Sequence, residues 1–330
     1  MKFRLIRFVF LFLLSLLLVT ACNGTKTVTS HREYPPLRIA YIQWPGFYPM
    51  IIAQEKGFFT QQGVKVEPFY VENYVTSVSD FSAGQYDGVG ISTGSLMSII
   101  GSNPDTRVVL ITDQSAGGDA VVAQPNIQSV ADLKGKRIGT KIGDFGELFV
   151  SIMLERNGLT TDDVTLVNTE AEAIPTRLQG ANIQAGQTWD PYISEAVKAG
   201  AKVLFSTKEA PGLVPSLIVF SNKVLTNRPT DIQAFIRAWF QALDYWEANL
   251  EKSNILIANK LNIKPEEVST EGVDLFNQQD NLKAMTPGTT TESLYYTAKL
   301  YADFYIRTGG LSTAPDIEKL IEPSFVRQLK

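Results

Sequence analysis

Short apolar segments alternate with amphipathic segments along most of the chain after residue 36. The short apolar runs predict buried strands, and apolar residues three and four apart predict helices. This alternation is typical of βαβ units around a mostly parallel sheet. The predicted strands are 37–42, 64–69, 88–91, 108–112, 121–123, 137–140, 164–167, 184–188 and 202–205. The predicted helices of this region are 50–56, 75–84, 147–157, 174–179 and 193–199, with a helical turn at 130–133.

The region from Pro229 onward is predicted to be mainly helical. Two further helices are predicted at 271–283 and 294–307. A stripe of large apolar residues at helical spacing belongs to a core far more often than to a ligand platform. That stripe consists of Ile232, Phe235, Ile236, Trp239, Phe240, Leu243 and Trp246.

The N-terminus has the pattern of a secretory signal. Three basic residues precede the apolar run 8–19, which is shorter than the roughly 20 residues that span a bilayer. The run ends in Val-Thr-Ala-Cys at 19–22, which resembles the lipobox of bacterial lipoproteins. The resemblance implies a signal peptide at 1–21, a lipid anchor on Cys22 and a polar tether at 22–36. The mature protein is then extracytoplasmic and membrane-anchored; the alternatives are an ordinary secretion signal and an uncleaved anchor.

Composition excludes several classes of function. The single cysteine, Cys22, rules out a disulfide within the monomer, and the single histidine, His31, lies in the predicted tether. Histidine-based catalysis and a His-ligated metal in the folded body are therefore excluded, and no metal or cofactor is expected. Removing residues 1–21 leaves 27 Lys and Arg against 34 Asp and Glu, a net charge of −7, which disfavours nucleic acid as a partner. Carboxylate-based or lysine-based catalysis stays open.

Five segments together resemble one protein family. They are QWPGFYP at 43–49, AQEKGFF at 53–59, AGQYD at 83–87, SVADLKGK at 129–136 and WDPY at 189–192. In this order they resemble the nitrate/sulfonate/taurine-type substrate-binding proteins of ABC importers, which share a fold with thiamine-pyrimidine-precursor binders. The resemblance covers nearly all of residues 37–326.

The resemblance implies a fold, a domain division and a function. The fold is a two-lobed, type II periplasmic-binding-protein-like α/β fold whose lobes close around a solute at the hinge. Lobe one is expected at 37–122 plus 221–330, and lobe two at 123–220. We expect a monomeric binding protein, without enzymatic activity, that delivers a small solute to an ABC permease and its ATPase.

Ligands of open α/β sheets lie beyond the carboxyl ends of the strands. Five loops meet this criterion: 43–48, 92–95, 113–119, 143–147 and 188–192. Structural explanations compete at each loop, such as a capping box formed by Asp144 and Glu147. The candidate ligand-binding residues are Gln43, Trp44, Phe47, Tyr48, Thr93, Ser95, Asp113, Ser115, Gly118, Asp119, Asp144, Glu147, Trp189 and Asp190.

The charge of these loops predicts the charge of the ligand. They contain five carboxylates and no lysine, arginine or histidine. A cation or zwitterion is favoured over an anion, because a buried anion beside unpaired carboxylates costs several kcal/mol. The prediction is a guanidine, an amine or a taurine-like solute. Asp190 and either Asp113 or Asp119 would contact its nitrogen, with Trp44 or Trp189 stacked on it.

Other functions stay open in the sequence. The ligand could instead be a sulfonate, nitrate or a thiamine pyrimidine precursor. A membrane-tethered sensor could bind a solute without delivering it to a permease. An enzyme on the same fold is disfavoured, because the thiamine-pyrimidine synthases rely on a cysteine-rich motif and an active-site histidine that this chain lacks.

Overall fold

The computed structural model describes residues 34–329. The predicted signal peptide, Cys22 and His31 lie outside these residues, so the structure does not bear on the predicted anchor. Within the described part of the chain, none of the helices combines the length and apolarity that a membrane crossing requires.

Two mixed sheets form the centre of the molecule. Between residues 34 and 329 the strands are, in chain order, β1 Leu37–Tyr41, β2 Val66–Tyr70, β3 Gly88–Ser92, β4 Thr106–Ser115, β5 Asp119–Ala123, β6 Arg137–Thr140, β7 Thr165–Asn168, β8 Ala185–Trp189, β9 Lys202–Ser206, β10 Pro215–Ser221 and β11 Val273–Leu275. One sheet has the order β11-β4-β10-β3-β1-β2, and the other has the order β7-β6-β8-β5-β9.

Strand direction departs from the predicted mostly parallel sheets. In the first sheet β1 pairs in parallel with β2 and β3, and in the second β6 pairs in parallel with β7 and β8. The other pairs are antiparallel and involve β10 and β4 in the first sheet and β5 in the second. The hydrophobic pattern locates a strand but carries no information on its direction, so it could not predict that both sheets are mixed.

Two short segments connect the sheets. Residues 116–118 lead from β4 into β5, and residues 207–214 lead from β9 back into β10. Hydrogen bonds join them: the Gly117 N–H donates to Thr207 Oγ1 at 2.7 Å, and the hydroxyls of Thr207 and of Ser115, the last residue of β4, are 2.8 Å apart. Strand pairing thus puts β5 in the second sheet and β10 in the first. The limits proposed for the two lobes at 122/123 and 220/221 stay a prediction.

Helices cover the sheets and form much of the C-terminal part. The α-helices are Tyr48–Glu55, Phe58–Gln61, Tyr74–Ser82, Thr93–Ser102, Phe145–Arg156, Ile174–Gln179, Tyr192–Lys198, Asn222–Asn227, Pro229–Ala248, Leu250–Leu261, Gln278–Ala284, Leu294–Thr308, Ile317–Leu320 and Ser324–Arg327. The aromatic stripe of Pro229–Ala248 is buried, and Phe235 stacks on Phe59 at a centroid distance of 5.7 Å. The prediction that this stripe belongs to the core is confirmed.

One predicted helix is wrong in its first half. Residues 271–283 were predicted as a single helix, but β11 occupies 273–275 and pairs with β4. The helix begins only at Gln278, because the Asn277 side chain accepts the N–H groups of Gln279 and Asp280 and so caps it there. Gly272, with φ of 79°, turns the chain into the strand.

Candidate ligand-binding cleft

A small cavity of about 40 Å³ lies between segments that belong to the two sheets. Most of its lining comes from loops at the ends of strands of the first sheet, and three residues come from segments of the second sheet. The lining residues are Ile42, Trp44, Phe47, Tyr74, Ser92, Asp119, Phe145, Trp189, Val214 and Ser216. Its walls are therefore mainly aromatic, with one carboxylate and no lysine or arginine among the lining residues.

Aromatic rings from both sides enclose this space. Trp189, at the end of β8, lies 5.9 Å from Phe145 between centroids, with an interplanar angle of 32°. The same indole meets Tyr74 edge-on at 6.2 Å and 73°. The Phe47 ring packs directly against Gly90, where a Cβ atom would come within 2.7 Å of the ring. Aromatic walls favour a cationic ligand over an anionic one, because the faces of aromatic rings attract positive charge.

Asp119 is the acidic group of the cavity. It opens β5 directly after the 116–118 connection, and its residue is 3% exposed. Burial raises the pKa of Asp119 to about 7; a hydrogen bond with the Ser115 hydroxyl opposes the increase, and the Asp113 and Asp190 carboxylates add to it. A positively charged group in the cavity would reverse this effect, because it favours the ionised carboxylate.

Asp113, by contrast, is a structural carboxylate behind the cavity wall. It is fully buried and accepts hydrogen bonds from Trp44 Nε1 at 3.0 Å, Thr112 Oγ1 at 2.7 Å and Ser216 Oγ at 3.1 Å. Burial raises its pKa to about 6, against the effect of these three donors. The predicted contact of Asp113 with a ligand nitrogen has no support in this geometry, since its oxygens hold the Trp44 loop and β10 together.

Asp190 lies outside the lining of this cavity. It lies beside Trp189 in sequence but lines a neighbouring groove, together with Gln43, Tyr48 and Gly118. Its Oδ1 accepts the N–H of Ser194 at 3.1 Å and the hydroxyl of Ser194 at 2.7 Å. The strand β8 ends at Trp189, and the chain turns at Asp190, so Trp189 lines the cavity while Asp190 lines the groove.

Four further candidates, Thr93, Ser95, Asp144 and Glu147, organise helix starts. Thr93 is buried and donates to the carbonyl of Pro215 at 3.2 Å. Asp144 caps the helix Phe145–Arg156 by accepting the Phe145 N–H at 2.7 Å, and Glu147 accepts the Gly143 N–H at 2.7 Å. Burial raises the pKa of Asp144, and the Phe145 N–H opposes this. The structural interpretation of this loop therefore accounts for both acidic groups.

Of the predicted residues, the structure brings Trp44, Phe47, Asp119 and Trp189 to the cavity, with Ser115 behind Asp119. Ser92 and Phe145 lie in predicted loops but were not selected. Tyr74 begins the helix that follows β2, and β2 is parallel to β1, so it ends at the same edge of the first sheet. Applying the strand-end rule to that segment as well would have included Tyr74. Ile42, Val214 and Ser216 carried no chemical signal in the sequence.

The two sides of the cleft are in direct contact. Gly94, in the first turn of helix Thr93–Ser102, faces the start of helix Phe145–Arg156. A Cβ atom at Gly94 would lie 2.4 Å from Phe145 Cβ and 3.0 Å from its backbone N and Cα. Nearby, the Tyr305 hydroxyl donates to Asp144 Oδ1 at 3.3 Å. The structure thus has a narrow cleft whose walls touch.

The raised pKa values predict how stability depends on pH. Asp113 and Asp119, with pKa values of about 6 and about 7, bind protons more tightly in the folded state than at the ordinary value of 3.8. Their contribution to stability is therefore complete below pH 3.8 and is lost as the pH rises through 6 to 7. We expect the ligand-free protein to be less stable at pH 8 than at pH 5.5, by about 2 kcal/mol, measured by thermal melting. A melting temperature that rises over this interval would contradict these raised values.

Comparison with known proteins places the chain in a family. The model of the family described as "NMT1/THI5 like" matches residues 44–252, which is more than half of the chain. The matched region includes Trp44, Tyr74, Asp119 and Trp189. The chain belongs to the NMT1/THI5-like family. The predicted resemblance is thereby confirmed at the level of the family. Between residues 34 and 329 there is no group of three or more histidine, cysteine or acidic side chains that could hold a metal ion.

Relatives of this NMT1/THI5-like chain include binding proteins and synthases. A Brucella abortus protein, named provisionally as a binding protein, is 27% identical over 242 residues, which cover 72% of this chain and 75% of the relative. A 4-amino-5-hydroxymethyl-2-methylpyrimidine phosphate synthase of Saccharomyces cerevisiae is 24% identical over 216 residues, with coverage of 61% and 63%.

Among solved structures, the periplasmic aliphatic sulphonate binding protein of Escherichia coli is similar, with a TM-score of 0.73 and 17% identity. The match covers 90% of this chain and 94% of that protein. This likeness shows the fold: the chain has the two-lobed α/β fold of periplasmic binding proteins, which confirms the predicted fold class.

Proposed function

We propose that the protein is an extracytoplasmic solute-binding protein that captures a small nitrogen-containing solute and delivers it to an ABC permease with its ATPase. The solute is cationic or zwitterionic, such as a guanidine, an amine or a taurine-like compound. The observation that carries the proposal is Asp119, a buried carboxylate in an aromatic cavity with no basic residue among its lining side chains. The division into two lobes, 37–122 plus 221–330 and 123–220, and the monomeric state are part of the same proposal.

Charge and shape both support this ligand class. An N–H donor on the ligand satisfies the Asp119 oxygens, and a positive charge removes the cost of keeping that carboxylate ionised. The rings of Trp189, Phe145 and Tyr74 add a cation–π contribution of about 1–2 kcal/mol in a dry cavity. An anion in the same place would face Asp119 without a counter-charge, at a cost of several kcal/mol.

A thiamine pyrimidine precursor is a second candidate. Trp189 and Phe145 both line the cavity, and aromatic side chains suit a flat heterocycle. An aminopyrimidine offers N–H donors to Asp119 without a full positive charge. The synthase name of the yeast relative makes turnover of such a compound worth testing, although the described residues contain neither histidine nor cysteine.

A thermal-shift screen tests the proposal. The panel contains amines, guanidines, taurine, aminopyrimidines, aliphatic sulfonates and nitrate. For compounds with N–H donors, we expect the free energy of unfolding to rise by about RT ln(1 + [L]/Kd). This is roughly 2.7 kcal/mol at a ligand concentration one hundred times Kd. Trp189 and Trp44 line the cavity, so their fluorescence should change with the same compounds. Stabilisation by sulfonates or nitrate alone would reject the nitrogenous ligand and keep the binding function.

We also propose that lipid on Cys22 anchors the mature protein to a membrane, because Val19-Thr20-Ala21-Cys22 resembles a lipobox. The Cys22→Ser variant is expected to leave the membrane fraction or to stay unprocessed. Fractionation and intact-mass analysis of the N-terminus check this. A mature N-terminus at a residue other than 22 would rule out the anchor.

A further inference from the structure

We propose that Tyr74 sets the charge selectivity of the cleft by occupying the hydrogen-bond donors that an oxyanion would need. This inference rests on the proposed function, since it concerns the solutes that the same cavity rejects. Tyr74 and Ser92 both line the cavity. The Ser92 N–H donates to the Tyr74 hydroxyl, so this N–H is not available to a ligand.

The Tyr74 hydroxyl is the centre of a compact network. It donates to Ser95 Oγ at 2.7 Å and accepts the backbone N–H of Ser92 at 2.9 Å. It also lies 3.0 Å from Ser92 Oγ, which itself accepts the Ser95 N–H at 3.3 Å. The groups that contact the Tyr74 hydroxyl all belong to the start of helix Thr93–Ser102, where Ser92 is the N-cap.

A helix start of this kind would otherwise suit an anion. Ser92, the N-cap of this ten-residue helix, lines the cavity, so the positive end of the helix dipole lies beside it. Helix starts hold phosphates and carboxylates in many proteins. In this chain the phenol oxygen of Tyr74 takes the place of such a ligand atom. An incoming sulfonate has to compete with a hydrogen-bonded group that is covalently held in position.

Two other parts of the cavity act in the same direction. The second helix start at the cleft, Phe145–Arg156, is capped by the Asp144 carboxylate, which accepts the Phe145 N–H and so occupies a donor of that helix start. On the opposite wall, Trp44 Nε1 and Ser216 Oγ both donate to Asp113. The Trp44 and Ser216 donors therefore already have an acceptor within the protein, and the Tyr74 hydroxyl can be removed by deleting one atom without adding charge.

The test compares Tyr74→Phe with Tyr41→Phe. Tyr41 is a matched control, because it is a buried tyrosine outside the cavity lining whose hydroxyl has no hydrogen-bond partner among residues 34–329. The full chain is titrated calorimetrically with guanidinium and with methanesulfonate. We expect Tyr74→Phe to shift the ratio of the two dissociation constants at least about tenfold toward methanesulfonate, because it releases the Ser92 N–H and two hydroxyls. Tyr41→Phe should leave the ratio within about twofold.

A second variant, Tyr74→Ala, covers the case in which the phenyl ring of Tyr74→Phe leaves too little room for methanesulfonate. Tyr74→Ala removes the ring as well, weakens guanidinium binding, and should admit methanesulfonate more readily than Tyr74→Phe does. If neither variant shifts the ratio although both melt cooperatively, the inference is overturned. If the wild type itself prefers methanesulfonate, the proposed function fails, and the response to Tyr74→Phe still reports separately on the role of the hydroxyl.

Discussion

The variant Asp119→Asn is expected to weaken binding of an amine or guanidinium solute about 100-fold, equivalent to about 3 kcal/mol. Asparagine keeps the size and one oxygen acceptor of the side chain but removes the charge. The ligand cation then has no partner in a buried aromatic cavity, and an unpaired buried charge is costly. Calorimetric titration of the solute found in the thermal-shift screen measures the effect.

Asp190→Asn is the matched control for this experiment. Asp190 is also an aspartate near Trp189, but it bonds to Ser194 and lines the neighbouring groove. We expect its substitution to change the dissociation constant less than about threefold. An Asp119→Asn variant that binds its solute more tightly than the wild type would show that the ligand is an anion.

The variant Gly94→Ala is expected to reduce affinity at least tenfold for every ligand, whatever its charge. A methyl group there would lie 2.4 Å from Phe145 Cβ and 3.0 Å from Phe145 backbone atoms, so the two helix starts have to move apart. The cavity then stays open toward solvent, and its aromatic walls no longer enclose the solute. Titration gives the loss of affinity, and small-angle scattering of the liganded variant should show a more open particle.

Gly101→Ala provides the control in the same helix. A Cβ atom at Gly101 meets a tip atom of the Leu311 side chain at 3.3 Å and nothing nearer, and that flexible end can shift. We expect this variant to bind like the wild type, because the substitution and the helix are the same and only the contact with Phe145 differs. Equal affinities of the two variants would mean that the contact at Gly94 has no part in binding.

Elements of the fold with a strong local pattern were predictable from sequence. The strand 137–140 and the helix 174–179 have the predicted bounds, because their apolar residues and flanking glycines are local signals. The short strand β11 was missed, because its three residues gain their stability from pairing with β4, more than 150 residues away. Strand direction depends on the same kind of distant contact, which explains why the sequence did not predict that both sheets are mixed.

The site shows where sequence reasoning ends. The loops around the cleft follow from strand ends, and Trp189 and Asp119 were found in this way. Asp113 and Asp119 look equivalent in sequence, yet the donors that hold Asp113 include Trp44 and Ser216, which are 69 and 103 residues away. Only the folded chain shows which carboxylate is already satisfied and which faces the cavity.

The connection between the sheets has a kinetic consequence. Asp119 follows the 116–118 segment directly, and its N–H donates to the Ser115 hydroxyl that pairs with Thr207, so it lies next to the connections about which the two proposed lobes would rotate. Residues next to such an axis would move little, whereas Phe145 and Gly94, on the two helix starts, would move further. An arriving solute would therefore bind first to the Asp119 carboxylate, and the aromatic rings would close on it afterwards. The association rate should then report on the first encounter, and the dissociation rate on how long the rings remain closed.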